Sequence, residues 1–430
     1  MVDIRSPCTP PRLELAPKRE ARIVFRHPTY PDTAPALLRL TGVDNHLNSG
    51  IDFQTALIAC GIVACNRWHN AWFGQKNGNG EYVKLEESRT RILPFSPKPY
   101  YFFVGEDEAE QYPVVPSFEH WRFPHDDLPH CWKDVSLDDP PGILSADPLA
   151  AVRTRDQTCR LTGFYEECEV AHLVPLQHHG WFESNDMQRY CRLQSRLNPI
   201  NDDSNLILLR SDMHRLFDKR RFAIAPKTSS DSIPNIVLHV LLPNMHSELH
   251  TLYHNRQLHG AATGISIEFL FARFAWSILC DEMYPFLKGP YVYAVKLFDL
   301  KTGEQRLKDL QTDDIAKSAH VFPRLARTRS VSPQKRKVGN ADSYEAYEED
   351  SDDYEEERRR GRKKRRSFDS DASGVGLDDR VLELSQSFST VSDKASPESL
   401  PDLSTSYSTP ALRTKPGALD AGNENDGLAP

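Results

Sequence analysis

The sequence has no Cys-x-x-Cys pair. Its eight cysteines, Cys8, Cys60, Cys65, Cys131, Cys159, Cys168, Cys191 and Cys280, are scattered over 430 residues. Scattered thiols argue against a zinc ribbon or a disulfide framework and lead us to expect reduced, intracellular cysteines. A long apolar run is also missing. The longest, Ala56 to Cys65, falls well short of the roughly 20 residues of a membrane helix, so no membrane segment is expected. The opening MVDIRSPCTPPRLELAPKRE lacks the apolar centre of a secretory signal. Apolar residues make up only 39% of the chain, against 27% charged residues and 31 prolines, so a sizeable stretch has too little apolar surface to offset ordering entropy. The net charge of −8, taken as an average, argues against non-specific adhesion to DNA or to an anionic membrane.

What is present predicts an α+β protein. A flexible lead over 1–20 precedes a small α+β unit over 21–145. That unit holds the strand-like pieces ARIVF, ALLRL, EYVKL and YYFFV, one helical block, DFQTALIACGIVACNRW, and a connecting loop from Glu106 to Pro141. The glycines of QKNGNGEY lack a third glycine and a following helix, so they predict a tight turn and not a phosphate cradle. A second body over 146–300 starts on an Asp147-Pro148 helix signal. It continues with strands in CEVAHLVPL, NLILLR, RFAIA and NIVLHVLL, a short helix, SDMHRLFDKR, capped by Ser211, and an amphipathic helix from Ser266 to about Leu287. A disordered tail is expected over 325–430. Within it Glu348 to Glu357 holds eight acidic residues in ten, and Arg358 to Arg366 eight basic residues in nine.

The chemistry-bearing residues lie between Cys159 and Asp218. His172 sits within the apolar strand pattern of VAHLVPL, and Asn205 opens the next strand. Nine residues later His214 falls in the first turn of a helix, with Asp218 at i+4 on the same face, where imidazole and carboxylate can share a divalent ion. The order CRLTG, AHLVP, NLILL, HRLFD resembles the HNH nuclease family, and the layout resembles HNH-domain proteins of fungal genomes. The resemblance covers Arg153 to Lys227.

That resemblance implies a ββα-metal finger embedded in the larger body, and a metal-dependent endonuclease that hydrolyses nucleic-acid phosphodiesters, with DNA as the expected substrate. His172 would be the general base. Asn205 would pin the loop and orient that histidine, or ligate metal as in some branches. His214 and Asp218 would hold one divalent cation, Mg²⁺, Mn²⁺ or Zn²⁺. Many members carry an Asp or His ligand just before the base, where this chain has Ala171; Glu169, two residues upstream on the same strand face, is a substitute. The alternative is a catalytically silent HNH-fold module that binds nucleic acid or protein. Between His172 and Asn205 a longer segment carries Arg189, Arg192 and Arg196, whose spacing suits one helical face turned toward phosphates.

Cys159 and Cys168 are expected to be core thiols. His246, His250 and His254 recur at i, i+4 and i+8, but their H-x-E-x-H order does not fit a zinc protease, which leaves a partly exposed polar face. In the tail, Arg358 to Arg366 resembles a nuclear import signal, which an import receptor would read, or a nucleic-acid-binding arm; the import reading gives a nuclear protein. Ser332, Ser396 and Thr409, each before proline, are candidate phosphosites.

Overall fold

The computed structural model describes residues 22–44, 50–86, 91–106, 110–135, 137, 147–193, 197–228, 234–242, 248–260 and 263–323. The lead, the tail with its charge blocks and phosphosites, Arg196 and His246 lie outside them. In chain order the first third comprises β1 (Arg22–Arg26), β2 (Leu38–Thr41), β3 (Ile51–Asp52), α1 (Phe53–Val63), β4 (Ala71–Lys76), β5 (Tyr82–Lys84), β6 (Ile92–Leu93), β7 (Tyr100–Val104) and the single turn α2 (His130–Lys133). There follow α3 (Pro148–Asp156), β8 (Cys168–His172), α4 (His179–Ser184), β9 (Leu206–Arg210), α5 (Ser211–Asp218), β10 (Phe222–Thr228), β11 (Pro234–Val240), α6 (Ile267–Ile278), β12 (Val292–Asp299), β13 (Glu304–Gln311) and α7 (Thr312–Lys317).

The four strands expected in the first third pair with an unforeseen one, β4, into a sheet of order β2-β1-β7-β4-β5, with β1 and β7 parallel and the other pairs antiparallel. The two glycines of QKNGNGEY turn the β4–β5 hairpin, where the Asn77 side chain accepts the Asn79 and Glu81 amides and Gly80 has φ +85°. Asp52 starts α1 by accepting from Thr55 N at 2.9 Å and Thr55 Oγ1 at 2.8 Å. Ten of the eleven residues of α1 are buried, which makes it a core helix. No helix among the described residues is long and apolar enough to cross a membrane.

The connecting segment that begins at Glu106 is irregular, yet it carries core: Phe118, Trp121, Phe123 and Trp132 are all buried, and Trp121, Phe123 and Trp132 meet Phe271 of α6. A single apolar cluster therefore runs from Ile23 to Ile315 through both expected α+β segments.

The hairpin β8–β9 is antiparallel, with Cys168 opposite Arg210 and His172 opposite Leu206. It is sandwiched by helices. Val170, Leu206 and Leu208 pack with Val152 of α3, while Ala171, Ile207 and Leu209 join the main core with Met213 and Phe217 of α5. Asp147 caps α3 through Leu149 N at 2.9 Å, as its Asp-Pro signal predicts. Two helix boundaries differ from expectation. Arg210, not Ser211, occupies the N-cap of α5, without a side-chain cap bond. Also, α6 stops at Ile278 and not near Leu287, because the chain turns at Cys280, whose carbonyl accepts Tyr284 N at 2.7 Å, ahead of Pro285.

The last described residues are strapped down. Ser318 O accepts from His120 Nε2 at 2.7 Å, and Glu119 Oε2 accepts the amides of Val321 and Phe322. The Phe322 ring lies so close to Gly180 that a Cβ there would come within 2.7 Å of it.

Candidate active site

Strand alternation sends Glu169 and Ala171 to the α5 side of the β8–β9 hairpin and His172 to the opposite side. On the α5 side, His214 is 3% exposed and lies between two carboxylates. Its Nδ1 is 3.0 Å from Glu169 Oε2 and its Nε2 is 3.4 Å from Asp218 Oδ2. A carboxylate only accepts, so the Glu169 contact puts a proton on Nδ1, and Nε2, beside Asp218 Oδ2, is the nitrogen at which a cation would take the place of a proton. Two ligand atoms of one tetrahedral ion with bonds of about 2.1 Å stand about 3.4 Å apart, so the His214 and Asp218 donors suit a shared cation. Glu169 does not stand in for a ligand at position 171. It takes the other ring nitrogen, as outer carboxylates do around a metal-bound histidine, and Ala171 is a fully buried methyl.

His172 ends β8, and its Nε2 lies 2.9 Å from Asn201 Oδ1, which fixes the proton on Nε2 and the basic lone pair on Nδ1. Asn205 is fully buried and holds this corner. Its Oδ1 accepts Val174 N at 2.9 Å, its Nδ2 donates to Ile200 O at 2.8 Å and to Val174 O at 3.3 Å, and its own carbonyl accepts Leu173 N. Both ends of the amide are thus spent on backbone, which fits pinning the loop and not ligating a metal. The same bonds fix the turn that presents Asn201.

Arg189 and Arg192 do not share a helical face. Met187–Tyr190 is one 3₁₀ turn, because Asp202 takes the amides of Arg192 and Leu193 and pulls the chain out of helix. Arg192 pairs with Asp203 at 2.8 Å, Arg189 is exposed, and Arg196 is outside the described residues. Cys159 is buried and Cys168 half-buried, both free thiols.

Sequence reasoning missed Asn201 and Arg273. Arg273 comes from α6 and is 1% exposed. It donates to the carbonyls of His172, Leu173 and Phe217 and lies 3.5 Å from Asp218 Oδ1. Burial pulls its pKa down to about 9, against the pull of Asp218. The available signal was a lone arginine in the apolar run EFLFARFAWSI. Beside it, His178 is drawn down to about 3 by burial and by Arg220 and Arg273, and as a neutral ring it accepts from Trp276 Nε1 at 2.8 Å.

Residues 159–225 match a family model for HNH endonucleases. No curated protein and no solved structure matches the chain. The HNH match spans β8, β9 and α5 and ends within β10, so Arg273 reaches the HNH segment from outside it.

One other cluster has a metal-like composition. Among the described residues, Asp44, His239 and His254 bring three donor atoms within 4.8 Å of one another, all buried. Its interior is already taken. Asp44 Oδ1 accepts from Lys227 Nζ, from His254 Nε2 at 2.8 Å and from Asn255 Nδ2 at 3.0 Å. Val240 N–H donates to His254 Nδ1 at 3.2 Å, so the proton sits on Nε2, where a metal would have to bind. Burial pushes the Asp44 carboxyl up, but Lys227, His254 and His239 outweigh it and hold it well below the usual range. This is a lysine-filled knot, and the partly exposed face expected for His250 and His254 is buried instead.

Proposed function

We propose that the chain is a metal-dependent HNH-type endonuclease acting on DNA phosphodiesters. The observation that carries this is the His214 imidazole, held by Glu169 on one nitrogen with the other beside Asp218; His172, on the other face at the end of the first strand, would meet the same phosphate across that strand end. His172 Nδ1 would take the proton of the attacking water while Asn201 steadies Nε2. His214 Nε2 and Asp218 Oδ2 would hold one divalent cation, which when bound supplies Lewis-acid stabilisation of the phosphate and leaving oxygens. Asn205 positions the loop on which His172 and Asn201 depend. Arg189, exposed on the segment between β8 and β9, is the member of the arginine trio suited to a backbone phosphate.

The buried methyl of Ala171 supports a second reading, a silent module that binds nucleic acid or protein. Incubating the protein with supercoiled plasmid and Mg²⁺, Mn²⁺ or Zn²⁺ separates the two. We expect nicking that His172→Ala lowers at least about 100-fold with the fold retained. Undiminished cleavage by that variant overturns the role of His172. A parent protein that neither nicks nor binds metal in a calorimetric titration supports the silent module, and a parallel single-stranded RNA substrate tests the choice of DNA.

A further inference from the structure

A buried guanidinium is costly unless its donors are used and its charge is met. At Arg273 neither condition is complete: Nε–H has no acceptor, and Asp218 stands at 3.5 Å with 29% of its side chain exposed. Neighbours Phe269, Leu270, Phe271 and Phe274 are buried, so an apolar side chain would fill the position at less cost if packing were its only purpose. The charge is explained by what its two terminal nitrogens grip. Nη1 donates to His172 O and Leu173 O, each at 3.4 Å. Nη2 donates to Phe217 O at 2.5 Å and faces Asp218 Oδ1. The Phe217 ring at 3.5 Å and the Trp276 ring at 4.3 Å add cation–π contacts to the guanidinium. A rigid planar fork thereby joins the end of the strand that presents His172 to the last turn of the helix that presents Asp218.

We infer that Arg273 is a positioning residue of the hydrolytic site, which sets the separation between His172 and Asp218 and keeps one oxygen of the Asp218 carboxylate away from a bound cation. The inference rests on the proposed nuclease reading. With Oδ1 turned to the guanidinium, Oδ2 is the oxygen presented beside His214 Nε2. A fixed positive charge next to a ligand carboxylate weakens that ligand by Coulomb repulsion. The arrangement therefore favours geometry over tight cation binding, in a site that already lacks a donor at position 171.

The full-length protein tests this with two variants, Arg273→Met and Arg273→Lys, by Mn²⁺ calorimetry and plasmid nicking. Methionine fills much of the space without charge. In Arg273→Met, Mn²⁺ binding should tighten about fivefold to tenfold through relief of repulsion. Its kcat should fall about 30- to 100-fold through loss of alignment, with KM for plasmid nearly unchanged. Arg273→Lys keeps the charge without the fork, so Mn²⁺ affinity should stay near the parent's while kcat falls about tenfold. A purely structural role would instead weaken metal binding together with thermal stability. A folded Arg273→Met protein with parental kcat, or weakened Mn²⁺ binding in both variants, overturns the inference. If Arg273→Met does not fold, Arg273→Lys decides by the same two readouts, parental kcat again overturning it. Should the parent fail to nick with any of the three metals, the nuclease reading fails, while the Mn²⁺ affinities still report whether Arg273 acts on Asp218.

Discussion

Two clusters in this molecule draw on the same residue types and reach opposite ends. In the knot, Asp44, His254, His239 and Lys227 are all at most 3% exposed, and the lysine ammonium stands where a cation would. At the HNH segment the arginine stands back. Arg273 touches only one oxygen of Asp218, whose side chain is 29% exposed, and the imidazole between the carboxylates keeps its Nε2 directed to the other oxygen. Composition alone would rank the knot first, since it has three mutually close donors. What separates a structural cluster from one able to take a ligand is which tautomer the backbone imposes and whether the protein's own cation fills the gap.

The largest expected effect that bears on this contrast comes from Lys227→Met. Leaving Asp44 buried without its cation should cost about 3–5 kcal/mol in urea unfolding, with Mn²⁺ affinity unchanged. If added Zn²⁺ restores that loss, the knot is a metal site and the contrast collapses. Next is pH. Burial depresses His27 to about 4, with Tyr112 O opposing, and it takes His254 to about 3 and His178 to about 3. Their folded values lie below the unfolded value near 6.5, so the unfolded chain binds more protons in this window. Stability is therefore full above about pH 6.5 and lost as pH falls toward the folded values, by about 1.4 kcal/mol per unit for each histidine. Urea midpoints that stay flat from pH 7.5 to 5.5 contradict this, and His254→Gln should reduce the slope by one histidine's share, with His239, His120 and His125 adding to the remainder. The smallest effect on stability is expected from Glu169→Gln, because its side chain is 49% exposed. It should shift stability by less than about 0.5 kcal/mol yet weaken Mn²⁺ binding about tenfold by releasing the His214 ring. A stability loss without an affinity loss would make Glu169 part of the scaffold only.

The residues that sequence made legible are those whose roles are local. Alternation exposes β8 and β9, the Asp147-Pro148 signal gives α3, and the i,i+4 spacing of His214 and Asp218 gives their common face. The helical face expected through Arg189 and Arg192 does not form, because Asp202, ten residues beyond Arg192, withdraws the amides a helix would need. Glu169 was seen as a ligand substitute, but which ring nitrogen it meets depends on how α5 lies across the hairpin. Arg273 was invisible for a different reason. The hydrogen-bond partners of its guanidinium lie 55 to 101 residues away, and no periodicity reports on a contact made across the core.

The strap formed by Glu119 and His120, with Phe322 against Gly180, fixes a departure point. Gly180 lies in the first turn of α4, eight residues after His172, on the segment that separates β8 from β9. Everything after Pro323 is therefore leashed to that segment. Arg358, 35 residues further along, cannot travel more than about 120 Å from this anchor in any conformation.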